Sequence, residues 1–336
     1  MEINKSKITQ TKNSPGTDNL RIVYKSFKDM DYFKNFFSGR GLEITQLTCG
    51  YIQAEFLSAQ VGDIYFVCRQ VSQGIQALGE QLKEYLSFGI SCFESDEGLY
   101  SHRRFVDPQR TIFGFNDKGT DLILPKGGVM ITILIPKKTF HVYAQQLQRY
   151  DLDDSFLSKN SVNLLPTGMK EIKDYLKQLF WLAVHQPTWF QNPHIEKLVT
   201  DDFLPLLISQ IPIKLNSKSF LKASRREKLI AQAEKEMLAN LNKPLTLKQL
   251  AQNLGSSSCA LSFGFKDLFG VSPMRYLKVR RLNAVREHLK ASEPDNCTIV
   301  FLANEFGFYC PSNFTRDYKA MFGELPSETL TKHYKS

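Results

Sequence analysis

The sequence has 336 residues, 42% hydrophobic and 12% aromatic, which is typical of a folded protein of two or three domains and excludes a disordered or collagen-like chain. No apolar run is long enough to cross a bilayer and no signal-peptide pattern opens the chain, which predicts a cytoplasmic protein without a membrane partner. The net charge is +9, and residues 216–336 hold +8 of it, from 19 Lys and Arg against 11 Asp and Glu, which predicts a C-terminal module that binds a polyanion such as nucleic acid.

The first two thirds of the chain have the pattern of a β-rich domain behind a flexible tail, which is predicted at residues 1–19. From about residue 20 to 135, short β-branched and aromatic runs such as "DIYFVCRQV" and "GVMITILIP" are separated by Gly, Pro, Asn and Asp. Many short strands at this spacing are typical of a β-sandwich or barrel. The apolar period then becomes helical, so residues 20–213 are predicted to form a β-rich sensor or dimerisation domain with a helical extension.

One basic run in this β-rich segment, "YSHRRFVDPQR", is a candidate effector site. It could bind an acidic small molecule or form an ordinary solvated loop, and its candidate binding residues are His102, Arg103, Arg104 and Arg110. A metal site is not expected, because the segment lacks the cluster of His and carboxylate ligands that a metal requires. No glycine-rich phosphate loop, nucleophile motif or ligand-spaced Cys and His group is present, so neither an enzyme nor a cofactor is predicted.

The C-terminal part, after a polar linker predicted at residues 214–225, carries one phrase twice. "FKDLFGVSP" ends at Pro273, and "YKAMFGELP" ends at Pro326, 53 positions later. Each copy follows a short apolar helix and a glycine turn, which predicts two helix-turn-helix units, at residues 247–269 and 299–322.

A basic amphipathic helix is predicted between the two units, at residues 273–290. Ser272 suits an N-cap and Pro273 the first helical position, while Thr246 and Gln249 have the spacing of a capping box at the start of the first unit. Two units on one rigid spacer can read two successive major-groove segments of double-stranded DNA, roughly 34 Å apart.

The outward faces of the second helix in each unit are the candidate DNA-reading surfaces. The candidates for contacts with base edges are Cys259, Ser262, Phe263, Pro311, Ser312, Thr315 and Arg316. The candidates for contacts with phosphates are Ser258, Lys266 and Lys319. Arg316 is the strongest base-reading candidate, because a guanidinium can donate two hydrogen bonds to guanine in the major groove.

Two stretches, "LAQNLGSSSCALSFGFKDLFGVSPMRYLKVRRLNAVREHL" and "IVFLANEFGFYCPSNFTRDYKAMFGELPSE", resemble the DNA-binding domain of the AraC/XylS family of bacterial transcription regulators over residues 226–330. The resemblance implies an α+β fold class with two domains, an N-terminal cupin-like sensor domain and a C-terminal all-α double helix-turn-helix domain. The segment "LPKGGVMITILIP" is also similar to the sensor barrels of one subgroup. The implied function is an effector-responsive regulator or activator that binds promoter DNA at the bacterial nucleoid and contacts RNA polymerase.

One position departs from the family pattern. Phe263 stands where many members carry Arg, and a branch that resembles regulators of ethanolamine use has an aromatic residue there, which implies altered specificity. Phe263 and Pro311 favour an alternative function, a ligand-binding or protein-interaction protein whose DNA-binding domain is degenerate. The C-terminal charge and Arg316 favour DNA binding. Target promoters, effector identity, activation or repression, and formation of a homodimer are left open by the sequence.

Overall fold

The computed structural model describes residues 22–39, 41–80, 82–92, 98–115, 119–213, 225–292 and 298–334. The strands are β1 Ile22–Phe27, β2 Leu42–Gln46, β3 Ala54–Val61, β4 Ile64–Val71, β5 Ile75–Gly79, β6 Tyr85–Ser91, β7 Leu99–Ser101, β8 Arg104–Val106, β9 Thr111–Phe113, β10 Thr120–Leu124, β11 Val129–Pro136 and β12 Ser161–Asn163. The helices are α1 Met30–Ser38, α2 Lys137–Gln146, α3 Asp154–Leu157, α4 Pro166–His185, α5 Pro193–Gln210, α6 Arg225–Ala239, α7 Leu247–Asn253, α8 Ser258–Phe269, α9 Pro273–Ala291, α10 Ile299–Glu305, α11 Pro311–Phe322 and α12 Pro326–Tyr334, with a 3-10 helix at Pro187–Gln191. The tail predicted at residues 1–19 lies outside the described residues, as does the predicted linker except Arg225, which begins α6.

Two antiparallel sheets form the N-terminal domain. The larger sheet has the strand order β1-β3-β4-β11-β6-β9-β12, and the smaller one has the order β2-β5-β10-β7-β8. Phe56 and Val67 of the larger sheet share one buried cluster with Ala77 and Leu122 of the smaller sheet. The two sheets therefore face each other across a common interior.

The central strands β4 and β11 follow the two-residue period of a strand that is buried on both faces. In β4, Phe66 and Cys68 belong to the cluster on the outer face of the larger sheet, whereas Val67 belongs to the cluster between the sheets. In β11, Ile133 faces outward and Met130 faces the interior in the same way. This double burial explains why both strands read as nearly continuous apolar runs.

Helices cover the outer face of the larger sheet. Phe140 of α2, Leu176 and Phe180 of α4, and Phe203 and Leu207 of α5 are fully buried in the same cluster as the outward side chains of β4 and β11. The helical extension predicted from the sequence is thus part of the N-terminal core. The two-domain α+β fold class with a β-rich N-terminal region is confirmed.

The C-terminal domain contains two small helical cores that share α9. Leu261 and Phe265 of α8 pack with Tyr276 at the start of α9, and Phe314 and Tyr318 of α11 pack with Leu282 farther along α9. Helix α9 contributes buried side chains to both cores and therefore links them. The two helix-turn-helix units are therefore joined through one shared helix.

The two domains are joined by buried polar contacts as well as by apolar ones. Arg286 of α9 donates from Nη2 to Oδ2 of Asp31 in α1 at 2.8 Å, and it also pairs with Glu324 after α11. Lys290 adds a second ion pair to Asp31 Oδ1 at 3.0 Å. Burial alone would raise the pKa of Asp31, but Arg286 and Lys290 outweigh it and lower that pKa to about 2.

Candidate nucleic-acid interface

The first candidate recognition helix is α8, and its local sequence sets where it begins and ends. Ser257 is the N-cap, and its side chain accepts a hydrogen bond from the backbone N–H of Ala260 at 3.1 Å. Gly270 ends the helix with a φ of 70°, and its N–H donates to the carbonyl of Lys266 at 3.0 Å. The preceding helix α7 starts with the capping box of Thr246 and Gln249, so that prediction is confirmed.

The buried side of α8 leaves a defined outward face. Leu261, Phe265, Leu268 and Phe269 are buried, which turns the remaining residues of the helix away from the core. Among the predicted DNA contacts, Cys259, Phe263 and Lys266 are exposed, and Ser258 and Ser262 are half-buried.

Phe263 is covered on one side by an arginine that sequence reasoning did not single out. The guanidinium carbon of Arg226, in α6, lies 4.7 Å from the centre of the Phe263 ring, a distance typical of a cation–π contact. Arg226 Nη1 is also 3.5 Å from Asp267 Oδ2, and both side chains are about half exposed. A guanidinium is therefore present at the surface beside the position where α8 itself has an aromatic residue.

The second candidate recognition helix, α11, has the same construction. Pro311 is its first residue, where a proline stabilises a helix because no backbone N–H is needed. Gly323 ends it with a φ of 80°, and its N–H donates to the carbonyl of Lys319 at 2.8 Å. Lys266 and Lys319 thus occupy equivalent places in the last turns of α8 and α11, four residues before each terminal glycine.

The outward face of α11 carries the second set of predicted contacts. Pro311, Ser312, Arg316 and Lys319 are exposed, and Thr315 is half-buried. Arg316 also lines a shallow cleft of about 350 Å³ between α11 and α9, together with Tyr309 and Asn313. The exposed predicted contacts thus lie on the outward faces of α8 and α11, and both helices pack against the shared helix α9.

Most of the basic residues of α9 point to protein partners. Arg280 contacts Thr45 of the N-terminal domain at 2.9 Å, and Arg281 donates to the backbone carbonyls of Leu241 and Lys243. Arg286 is buried at the domain interface. The local positive charge available to DNA therefore comes from α8, α11 and their neighbours more than from the spacer helix.

The four predicted effector-binding residues lie in different surroundings. Arg103 pairs with Asp121 at 2.7 Å and with Glu234 of α6, so it joins the two domains, and these carboxylates raise its pKa although burial alone would lower it. Arg104 is 3.9 Å from Glu227 of α6 and Arg110 is exposed. His102 lines the cavity between the sheets. Effector binding by the whole run stays a prediction.

The described residues contain no group of three or more His, Cys, Asp and Glu side chains that could hold a metal ion. In the same residues, none of the helices combines the length and the apolar character that a membrane span requires.

Comparison with known proteins identifies the helical region. Residues 250–332 match the family described as "Helix-turn-helix domain". The "Probable thc operon regulatory protein" of Rhodococcus erythropolis is 37% identical over 92 residues, which are 27% of this chain and 28% of that protein. The "XylDLEGF operon transcriptional activator 2" of Pseudomonas putida is 29% identical over 140 residues, 42% of this chain and 85% of that protein. The chain thus spans little more than a quarter of the first of these relatives.

A solved structure aligns over a larger part of the chain. The "AraC-like transcriptional activator CuxR" is 13% identical, covers 78% of this chain and 94% of that one, and superposes with a TM-score of 0.41. The names of both sequence relatives describe proteins that regulate operons.

Proposed function

We propose that the chain, which belongs to the AraC/XylS family through its C-terminal domain, binds promoter DNA in a sequence-specific manner and regulates transcription. The single observation that supports this most is the pair of equivalent exposed helices, α8 and α11, packed against one shared helix. A helix-turn-helix unit inserts its second helix into the major groove, so two units fixed in this way can read two segments of one DNA duplex.

The outward residues have two proposed roles, contact with base edges and contact with phosphates. Arg316 can donate two hydrogen bonds to guanine O6 and N7, which would give it a base-specific role. Lys266 and Lys319 are better suited to phosphates, because a lysine at the end of a recognition helix supplies a flexible point charge without base geometry. The serines and Thr315 can serve in either way.

The regulatory outcome is proposed from the relatives. The Pseudomonas relative is named as a transcriptional activator, which favours activation and a contact with RNA polymerase for this chain. We further propose that the N-terminal domain senses a small-molecule effector, that the protein works in the cytoplasm at the nucleoid, and that it has no catalytic activity. Its interface with α9 and α6 gives such a sensor direct contact with the DNA-binding units.

The alternative function, a degenerate domain without DNA affinity, had two supporting residues in the sequence. Pro311 no longer favours it, because a proline at the first position of α11 is compatible with an intact helix. Phe263 does favour a changed contact between α8 and DNA, yet Arg226 places a guanidinium beside it. An apolar ring can contact a thymine methyl group, and the neighbouring guanidinium can contact a phosphate.

The decisive experiment is selection of binding sites from a random DNA pool with the full chain at two salt concentrations. We expect a motif with two half-elements about one helical turn apart, with affinity that falls as salt rises. Weak binding that selects no motif and vanishes at the higher salt, with and without candidate effectors, would favour the degenerate domain.

A further inference from the structure

A cavity of about 760 Å³ lies between the two facing sheets of the N-terminal domain. Its walls are mostly apolar and include Val23, Phe37, Phe56, Met130 and Leu134. Pockets for small organic ligands in proteins are typically about 300–1,000 Å³ and are lined in this way, with a few polar groups that orient the ligand. The interior of the β-rich domain therefore has the size and surface of a ligand site.

Arg69 brings a positive charge into this cavity. It lies in β4, in the run "DIYFVCRQV", two residues after Val67 and therefore on the strand face that points between the sheets. It pairs in register with Met130 of β11, which lines the same cavity. Among the lining residues that the structure describes, Arg69 is the only Arg or Lys.

The contacts of Arg69 do not neutralise its charge. Its Nη2 donates to the hydroxyl of Thr132, and its guanidinium carbon lies 5.8 Å from the centre of the Phe37 ring. Its Nε is buried without a hydrogen-bond partner, and no carboxylate of the described residues forms an ion pair with it. Burial lowers the pKa of the Arg69 guanidinium to about 10, so the side chain stays charged at neutral pH in surroundings that disfavour the charge.

Neither carboxylate among the described lining residues forms an ion pair with Arg69, although Asp121 Oδ1 is buried without a hydrogen-bond partner. Asp121 accepts a hydrogen bond from Arg103 Nε at 2.7 Å, and Glu80 is exposed to solvent. An unpaired charge inside a protein is strongly unfavourable unless a partner of opposite sign is supplied. None of the described residues supplies that partner, and a single arginine matches a single negative charge.

We propose that the cavity binds an organic monocarboxylate whose carboxylate pairs with Arg69 and Thr132 and whose apolar body fills the space between the sheets. A guanidinium and a carboxylate fit each other through two parallel hydrogen bonds, which the unpartnered Nε makes available. The mostly apolar wall favours such a ligand over a sugar or nucleotide, whose many hydroxyl or phosphate groups need more polar partners. Binding itself is independent of the proposed function, and only its effect on DNA rests on that function.

The cavity wall is connected to the DNA-binding domain. His102 and Asp121 line the cavity, and Asp121 holds Arg103, which in turn pairs with Glu234 of α6. His102 and Arg103 form the tight turn between β7 and β8, both with positive φ, at 48° and 66°. A ligand that moves β10 or this turn changes the ion pairs that dock α6 on the N-terminal domain.

The test is calorimetric titration of the full chain with aliphatic and aromatic monocarboxylates, from benzoate to hexadecanoate, beside the corresponding primary amides. We expect at least one carboxylate to bind about tenfold or more tightly than its amide, because only the carboxylate pairs with the charge. In Arg69→Gln, affinity for that carboxylate falls by about the same factor while affinity for the amide is unchanged. Equal binding of every acid and its amide, or no binding of any acid, overturns the proposal.

Two further variants separate a ligand site from a merely structural arginine. Arg69→Met replaces the charge by an apolar side chain of similar length, and we expect a higher melting temperature without ligand together with loss of the carboxylate-induced rise in melting temperature. A lower melting temperature for the ligand-free variant would show that Arg69 stabilises the fold and would overturn the proposal. Arg110→Gln tests the exposed arginine of the basic run, and loss of carboxylate binding there but not in Arg69→Gln would move the site to that loop.

Selection of DNA sites by the ligand-free chain is a separate measurement. If carboxylates bind and no DNA motif is selected with or without them, the proposed function fails while this site stands. If a motif is selected and no carboxylate binds, this site fails while the proposed function stands.

Discussion

Replacement of Asp31 by Asn tests how the N-terminal domain holds the DNA-binding domain. Asp31 is 6% exposed and lies in α1, where it faces Arg286 and Lys290 of α9. Glu324 faces Arg286 from the other side, and Glu287 faces Lys290. Asn keeps the size of the side chain and removes its negative charge, so the change isolates the electrostatic part of the domain contact.

The expected loss follows from the pKa of Asp31. That pKa falls from 3.8 to about 2 on folding, and each pH unit corresponds to about 1.4 kcal/mol, so the charged form contributes about 2–3 kcal/mol of stability at neutral pH. Breaking a buried ion pair typically costs about 3–5 kcal/mol. The lower figure is appropriate here because Arg286 retains Glu324.

The assay is the free energy of unfolding in urea for the full chain and for Asp31→Asn, measured from neutral to acid pH. Because the folded pKa lies below the unfolded one, the stabilisation is complete above about pH 4 and is lost as the pH falls toward 2. We therefore expect a gap of about 2–3 kcal/mol at pH 7 that closes below about pH 4.

Lys34→Gln is the matched control, since it removes an ion pair at the same domain interface. Lys34 Nζ lies 2.6 Å from Glu287 Oε1, but that carboxylate is half exposed, and exposed pairs contribute at most about 1 kcal/mol. A gap for Asp31→Asn that is no larger than the control, or that does not change with pH, would refute the reasoning.

Three further outcomes are expected. Arg316→Ala should weaken binding to the selected DNA site by about 1–3 kcal/mol and relax the choice at one base position in titrations against single-base variants, and equal weakening for every sequence would argue against base reading. Lys319→Ala should weaken all sequences alike and reduce the slope of log affinity against log salt by about one, whereas an unchanged slope would exclude a phosphate contact. Gly270→Ala should lower the free energy of unfolding by about 1–2 kcal/mol because of its positive φ. Gly323→Ala should lower it more, because a methyl group there would lie 2.2 Å from the Tyr51 ring. Thermal unfolding of the two variants can check which of them is less stable.

The C-terminal domain was accessible from the sequence because its signals are local. Each of these signals sets the backbone conformation of residues only a few positions away. They are the duplicated Lys, Phe and Gly positions, the capping box at Thr246 and the proline at position 273. The two glycines with positive φ, Gly270 and Gly323, end α8 and α11 where the repeated phrase has its glycine. Local chemistry of this kind needs no knowledge of distant contacts.

For the N-terminal domain, the sequence predicted only the class of fold. Alternating apolar runs predict strands, but the strand order joins residues that are far apart, such as β4 with β11 and β9 with β12. The partners of Arg103 and Arg286 are equally distant, in α6 and α1 respectively. No local pattern in the sequence indicates which carboxylate such an arginine meets.

The sequence contains one signal that sets Arg69 apart. It is a charged residue in an otherwise apolar stretch of a strand that is buried on both faces, a position where Arg is seldom found without a partner. The period of two even assigns it to the same face as Val67. What the sequence could not supply is that none of the described carboxylates pairs with it there.

The comparison of Arg69 with Arg286 explains why one is structural and the other points to a ligand. Burial alone would lower the pKa of both guanidinium groups, but Asp31 and Glu324 raise that of Arg286, so its charge strengthens the contact between the domains. None of the described carboxylates does the same for Arg69, and burial lowers its pKa to about 10. An unpaired buried charge destabilises the protein without ligand. When a carboxylate ligand pairs with that charge, the free energy of pairing contributes to the affinity for the ligand. The lack of a carboxylate partner for Arg69 among the described residues, more than the volume of the cavity, is therefore the reason to expect an acidic effector.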